Sequence, residues 1–397
     1  MNNKLLISGV LGLGTCMIYT PIHAGEAQAQ SKPNVLIIYT DDMGAGDVSF
    51  LNNGWVKTPN IDKLASGGLI VTNYYSSSPV SSPSRVGLTT GRFPTEMGIN
   101  CYLQTRKGNA ACEQFDYLDA SVPTMAKVMK SAGYTTGHFG KWHMGGGRDV
   151  IDAPQITEYG FDEYISTWES PNPDPVITDS AWIWSRTDQV KRWDRTAYFV
   201  DKTLDFLKRH KGEPCFVNLW PDDMHTPWVP SQKTMDSERT SWTTPPNFKE
   251  VLTEYDKQIG RLMEGLTKLG LEKNTIVIFT SDNGPAPSFQ QMRTNSLLGV
   301  KCSLYEGGIR MPFAIHWPEK IKAGGINDSS IVCAVDLLPS LCALTGAKLP
   351  LDMELSGEDM SRALLGEPQI RKKDLMWDFG RNKAFNYPRG KNAKQKS

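Results

Sequence analysis

The sequence predicts an α/β protein with a central, mostly parallel sheet sandwiched by helices. Two observations carry this. Apolar runs end abruptly in polar or charged residues, as "NVLIIYTDD" (Asn34 to Asp42) does. Helix-like stretches alternate with such runs repeatedly along the chain. Alternating helices and strongly apolar strands form parallel sheets covered on both faces.

The elements follow in order. "NVLIIYT" reads as the first buried strand. "TPNIDKLASGG" (Thr58 to Gly68) reads as a short helix stopped by glycine. "SSPVSSPSRVGLTTGR" (Ser77 to Arg92) begins like a linker and turns into a helix starting near Arg85. "VPTMAKVMKSAGYTTGHFGKWH" (Val122 to His143) reads as helix, glycine stop, strand and polar loop. "TAYFVDKTLDFLKRHKGEPCFVNLWPDDMH" (Thr196 to His225) repeats that order. So does "FKEVLTEYDKQIGRLMEGLTKLGLEKNTIVIFTSDNG" (Phe248 to Gly284).

Composition narrows the function classes. The 397 residues are 39% apolar and 22% charged, values of a globular chain that buries a large core. Forty-three basic residues balance 43 acidic ones, so no net field draws the chain to nucleic acid or an anionic membrane. The N-terminus has a lysine, an apolar run from Leu5 to Tyr19 and small residues, with cleavage-type patterns ending at Ala24 and Ala29. Residues 1–29 therefore read as a signal peptide, and export to the periplasm or cell surface is expected. That run is short for a membrane span, and no other segment offers a transmembrane one. Past Cys16, six cysteines remain. Cys101 and Cys112 flank a polar stretch and could close a loop, which export permits. With no CxxC pair, a structural zinc site is not expected.

The polar strand ends point to one crevice. Asp41 and Asp42 follow the first strand, Lys141 and His143 another, Asp222 and His225 a third, and Asp282 and Asn283 a fourth. Ligands of open α/β sheets bind beyond the carboxyl ends of strands. Asp41, Asp42, Asp282 and Asn283 supply only oxygen, which suits a hard cation, Ca²⁺ or Mg²⁺. Either pair alone reads rather as helix caps or turn formers; together, at the ends of two apolar strands, they favour a metal. Arg85, Lys141, His143, His225 and Lys301 form a cationic set. A divalent cation ringed by such side chains calls for an anion, a sulfate or phosphate group. The helix after the serines favours the same anion through its free N–H groups and dipole.

At this point the residues resemble a known family. "SSPSRVGLTTGR" is similar to the signature of type I sulfatases, with Ser81, Pro83, Ser84, Arg85, Leu88, Thr90 and Gly91 at the patterned positions. "GHFGKWHMG", "SDNG" and "GVKCSLYEGGIRMP" match further family segments. The resemblance implies an alkaline phosphatase-like fold with a catalytic domain over 30–346. It implies a small C-terminal α+β subdomain, of which 347–397 reads as an incomplete start. It implies that Ser81 becomes Cα-formylglycine, made by a radical-SAM maturation enzyme. It also implies that Asp41, Asp42, Asp282 and Asn283 hold one Ca²⁺ per chain and that Arg85 orients the formylglycine. Lys141, His143, His225 and Lys301 would then bind sulfate and move protons. The expected substrate is a sulfated glycan or small sulfate ester, with phosphodiester or phosphonate monoester hydrolysis as the alternative at the same site. The loop bearing Trp168, Trp182, Trp184 and Trp193 reads equally as a surface that stacks on sugar rings or as an aromatic cluster anchoring a long loop, and Arg148, Asp149, Trp168 and Asp222 are the substrate candidates.

Overall fold

A computed structural model describes residues 32–382, apart from 53, 179–182 and 238–242. The expected signal peptide, residues 383–397 and Trp182 lie outside the described residues. The strands are β1 (Asn34–Thr40), β2 (Leu69–Val71), β3 (Tyr74–Tyr75), β4 (Thr135–Gly140), β5 (Glu163–Ser166), β6 (Cys215–Trp220), β7 (Thr275–Ser281), β8 (Phe313–His316), β9 (Gly325–Asn327) and β10 (Val332–Cys333). The helices are α1 (Pro59–Ser66), α2 (Ser81–Thr90), α3 (Arg106–Ala111), α4 (Met125–Ser131), α5 (Arg195–Arg209), α6 (Gln232–Ser237), α7 (Pro245–Leu269), α8 (Glu306–Ile309), α9 (Leu337–Thr345) and α10 (Ser361–Leu364).

Eight strands form one sheet in the order β5-β4-β6-β1-β7-β8-β2-β9. The run from β5 to β7 is parallel, and β8 runs antiparallel to β7 and to β2. The alternation along β1 shows how the layers form. Val35, Ile37 and Tyr39 pack on one face with residues of α2, α4 and α9. Leu36 and Ile38 pack on the other with residues of α1, α5 and α7. A strand's side chains alternate in direction, so a run apolar at every position needs a layer on each side. Truncating one of these buried residues to alanine costs about 2–5 kcal/mol in comparable cores. α5 buries a single stripe with Phe199, Val200, Thr203, Phe206 and Leu207, whereas α2 is buried on all sides.

The helix after the serines begins earlier than expected. α2 starts at Ser81, not near Arg85, so Ser81, Ser82, Pro83 and Ser84 are its first turn. First-turn N–H groups have no intrahelical partner, and proline there loses nothing. Cys101 and Cys112, which could have closed a loop, are both buried free thiols. Hydrogen bonds close that loop instead, from the Asn100 amide to the Glu113 carbonyl (2.7 Å) and from the Cys101 N–H to Gln114 Oε1 (2.7 Å). Beyond Gly346 the described residues contain α10 and no strand. This segment is tied to the body by Arg371 on Asp336 and by Trp377 Nε1 donating to the Ser76 carbonyl at 2.8 Å.

Candidate active site

The topology brings the expected strand ends together. β4, β6, β1 and β7 are consecutive neighbours, and Thr40 pairs with Ser281. The residues that follow therefore share one edge of the sheet. Asp41, Asp42 and Asp282 are fully buried, and their carboxylates offer oxygens within 4.8 Å of one another. Asn283 donates from Nδ2 to Asp42 Oδ1 at 2.7 Å. Ser81 Oγ donates to Asp41 Oδ1 at 2.9 Å and lies 3.4 Å from Asn283 Oδ1. The first residue of α2 thus stands directly on the acidic centre.

Three cations answer these acids. Lys141 Nζ is 2.8 Å from Asp41 Oδ2, and Lys301 Nζ is 2.7 Å from the Asp42 carboxylate. Arg85 is fully buried, donates to Asp282 Oδ2 at 2.7 Å and lies 3.4 Å from Asp41 Oδ1. It also donates to the Lys141 carbonyl at 3.0 Å and packs under the Trp220 ring at 5.2 Å. Arg85 does not line the cavity; it braces the carboxylates from behind, whereas Lys141 and Lys301 face the open space.

Electrostatics show how these charges act on one another. Burial works to raise the Asp41 carboxyl, yet Lys141, His225, Arg85 and Lys301 hold it well below the carboxylate range. Asp282 is pushed up to about 7 by burial and by the like charges of Asp41 and Asp42, despite Arg85. Three buried carboxylates plus an amide form an all-oxygen donor set in which Asp41 and Asp42 crowd Asp282 with like charge. This set fits a hard divalent cation, and Ca²⁺ accepts such ligands.

Above this floor lies a cavity of about 750 Å³. It takes in Ser81, Lys141, His143, His225 and Lys301 from the expected set. His225 Nδ1–H donates to the Thr226 carbonyl at 2.6 Å, which turns Nε2 inward, 3.9 Å from Asp42 Oδ2. Burial, with Lys301 in support, lowers its imidazole below the ordinary histidine value. His143 is held differently. Its Nε2–H donates to the Leu103 carbonyl at 3.1 Å, and Nδ1 faces Glu169 Oε2 at 3.3 Å. Burial lowers the His143 imidazole to about 3 against the pull of Glu169. Both Nδ1 and the carboxylate are acceptors unless one carries a proton.

Glu169 was not foreseen. It reaches His143, Arg148 (3.0 Å) and Lys141 (3.8 Å), and these three outweigh burial to bring its carboxyl down to about 2. The strand-end rule would have found it, because it follows β5. That strand is short and half-buried, so it gives no apolar run. Arg192 and Arg195 were missed too, and charge-rich loop sequence carries no signal for them.

The substrate candidates divide. Arg148 and Trp168 line the mouth together, the guanidinium 4.7 Å from the ring centroid. Asp222 lines the wall, but Arg192 and Arg195 hold its Oδ2, and they outweigh burial to lower its carboxyl. Its role is to brace the turn that carries His225, whose carbonyl Arg192 also reaches at 3.4 Å. Asp149 is not in the site: it is exposed and accepts from the Arg106 N–H at 3.0 Å, at the start of α3. Trp184 and Trp193 are half-buried outside the cavity lining, so of the described tryptophans in that loop only Trp168 reaches the site.

Comparison with known proteins gives the family. The sulfatase family model matches residues 33–347. The chain belongs to the sulfatase family. It is thus a sulfuric ester hydrolase by class, on an alkaline phosphatase-like fold. It is 29% identical to an N-acetylgalactosamine-6-O-sulfatase of Bacteroides thetaiotaomicron, over 94% of this sulfatase and 83% of that protein. It is 31% identical to arylsulfatase A of Bos taurus, over 89% of this chain and 72% of that one. The solved structure of a sulfatase from Pseudoalteromonas sp. superposes with a TM-score of 0.69 at 25% identity, covering 88% of this chain and 76% of that one. No helix among the described residues of this sulfatase is long and apolar enough to cross a membrane.

Proposed function

We propose that this sulfatase removes sulfate from sulfated carbohydrates, using a formylglycine made from Ser81 and one Ca²⁺ held by Asp41, Asp42, Asp282 and Asn283. The observation that carries the reading is the floor of the cavity. A serine hydroxyl at the first turn of α2 sits on buried carboxylates, between two lysines and an inward-facing histidine nitrogen. The formylglycine, when present, supplies a hydrated aldehyde whose two hydroxyls allow attack on sulfur and later release of sulfate. The cation, when bound, supplies positive charge against the sulfuryl oxygens.

The remaining steps fall to this chain's side chains. Lys141 and Lys301 face the cavity and bind the sulfuryl oxygens by charge-assisted hydrogen bonds. As charge develops on those oxygens, both lysines are already in place, so little reorganisation is needed. His225 presents Nε2 and delivers its proton to the leaving sugar oxygen. The Nδ1–H bond to Thr226 fixes which nitrogen does this. Its lowered pKa keeps the free enzyme's imidazole neutral, and the anionic substrate draws the proton onto it. Arg85 keeps Asp41 and Asp282 in register with Ser81. His143, held by its Nε2–H bond to the Leu103 carbonyl and with Nδ1 facing Glu169, positions Glu169 and through it Lys141 and Arg148.

Ser81 is 1% exposed, so a radical-SAM maturation enzyme reaches it only before the chain closes around it. Conversion of CH₂OH to CHO removes two hydrogens, a loss of about 2 Da on the residue that becomes the nucleophile. Residues 1–29 act as an export signal in this reading, which N-terminal sequencing of the secreted protein checks at Gly25 and Gln30. The decisive assay pairs mass spectrometry of the Ser81 peptide with a substrate panel. N-acetylgalactosamine 6-sulfate and other sulfated sugars stand against phosphodiesters and phosphonate monoesters. Sulfate release only from protein showing the mass loss is expected. Turnover by protein with intact serine, or faster hydrolysis of the phosphorus esters, overturns the reading.

A further inference from the structure

We infer that Arg293, braced by Asp47, is the positioning residue that holds Asp42 in register with both the cation centre and Lys301. The inference rests on the metal reading above and adds a part of the machinery that the sequence did not disclose.

Asp42 is the most heavily used residue of the floor. Its N–H donates to Asp282 Oδ1 at 3.0 Å, and its carboxylate takes Asn283 and Lys301 and faces His225. To do this its backbone sits at φ 59°, in the left-handed region. Aspartate tolerates that region only when its surroundings hold it there. The hold is visible. Arg293 Nη2 donates to the Asp42 carbonyl at 2.8 Å. The same nitrogen donates to Asp47 Oδ2 at 2.8 Å, and Nε donates to the Asp47 carboxylate at 3.1 Å. Asp47 Oδ2 also accepts from the Gly44 N–H at 2.9 Å, closing the turn that leaves Asp42.

The surroundings leave this unit no slack. The Arg293 guanidinium lies 4.3 Å from the Phe248 ring centroid and 5.1 Å from that of Trp228, and its side chain is 1% exposed. A β-carbon on Gly44 would come within 2.1 Å of the Arg293 carbonyl, and one on Gly46 within 1.8 Å of the Met292 carbonyl. The two loops therefore meet backbone to backbone and move as one piece. A buried ion pair is by itself weak evidence for stability, since an apolar pair of similar volume often serves as well. Here the pair does what an apolar one cannot: its fork bonds the carbonyl of the residue whose carboxylate serves the centre. A lysine offers a point charge and cannot reproduce that fork.

The test is calcium binding to the metal-stripped full chain with Ser81 unmodified, followed by titration calorimetry and by the Ca²⁺-dependent rise in melting temperature. Outer-shell partners of metal ligands typically contribute about 10–100-fold in affinity. Arg293→Lys should weaken Ca²⁺ binding by that factor and shrink the Ca²⁺-dependent thermal shift. Arg371→Lys is the control. It breaks another buried pair, with Asp336 at the start of α9 on the opposite face of the sheet. It should lower the melting temperature and leave the calcium affinity unchanged. If Arg293→Lys does not fold, Asp47→Asn is measured in the same way, because it loosens the brace while leaving the Arg293 bond to Asp42. Equal affinity in parent and folded variant overturns the inference. So does an equal loss of affinity in Arg371→Lys. A parent chain that binds no Ca²⁺ overturns the metal reading itself and the clamp with it.

Discussion

The floor and the mouth of this cavity are built in opposite ways. The floor (Asp41, Asp42, Asp282 and Asn283) is fully buried, hung on the ends of the neighbouring strands β1 and β7 and braced from behind by Arg85 of α2. The mouth is made by loops, with Arg148 exposed and joined to Trp168 and Glu169 by one contact each. Strand ends are held by their ladders, so a catalytic centre placed there inherits the rigidity of the sheet. Loops vary at small cost to the core. On the proposed reading, reaction type is written in the floor and sugar preference in the mouth. Substitutions should sort by that division: the floor governs whether the enzyme turns over, the mouth how well it holds substrate.

The largest effect belongs to Ser81. If Ser81 is the precursor of the nucleophile, as proposed, Ser81→Ala should cost on the order of 10⁶ in kcat, the scale seen when a hydrolase loses its nucleophile. Ser82 is the internal comparison. Its hydroxyl accepts from the Leu103 N–H at 2.9 Å, one step from the carbonyl that holds His143. Ser82→Ala should thus leave substantial activity. Sulfate release by both variants, matured together, decides this. Activity in Ser81→Ala within about tenfold of the parent, roughly 1.4 kcal/mol in barrier, would exclude Ser81 as the nucleophile precursor.

His225→Ala comes next. A positioned proton donor is worth about 10²–10⁴ in rate. The loss should be large for a sugar sulfate, whose alcohol leaves poorly without a proton, and small for a nitrophenyl sulfate. An equal loss on both substrates would show that His225 binds sulfate and does not serve the leaving group.

How far the sequence could be read follows the same division. The strand ends were legible because a run such as "NVLIIYTDD" carries its own boundary: apolarity stops where the sheet does. Parallel order then placed Asp42 and Asp282 side by side. The first turn of α2 was misplaced because Ser-Ser-Pro-Ser reads as loop, although proline costs nothing before the first intrahelical bond. What stayed hidden depended on long-range packing. Glu169 follows a strand too polar to show. Arg293 bonds a carbonyl some 250 positions earlier in the chain. Asp149 looked like a sugar contact beside Arg148, and only the path of the loop sends it to α3.

Glu169 sits between the two regions and should behave as intermediate. Glu169→Gln keeps the shape but loses the charge facing Lys141, His143 and Arg148. About a tenfold loss in kcat/KM is expected, the scale of about 1.4 kcal/mol. Stability gives a second check with a definite sign. The carboxyl titrates at about 2 in the folded chain against an ordinary glutamate value of 4.5. The unfolded chain binds more protons between those values, so the stabilisation is complete above about 4.5 and is lost as pH falls toward 2. The difference in unfolding free energy between parent and Glu169→Gln should shrink across that window. A difference that stays constant there would mean that Glu169 carries no paired charge.

The smallest effects come from two adjacent residues at the rim, and their contrast is the sharpest test of the division. Arg148 has φ 56°, faces the cavity beside Trp168 and bonds Glu169 at 3.0 Å. Arg148→Ala removes a sugar-facing cation and part of the ring's support. KM should rise by about three- to tenfold with kcat nearly unchanged, the pattern of lost uniform binding. Asp149 turns the other way, onto the first N–H of α3. Asp149→Ala should leave both kinetic constants alone and cost about 1 kcal/mol of stability or less, the scale of a helix-start contact. The two substitutions should therefore separate by readout, with Arg148 moving KM alone and Asp149 moving only the melting temperature. If Asp149→Ala raised KM as Arg148→Ala does, the rim would bind sugar through both residues, and the loop between Gly147 and Val150 would have to rearrange when substrate enters.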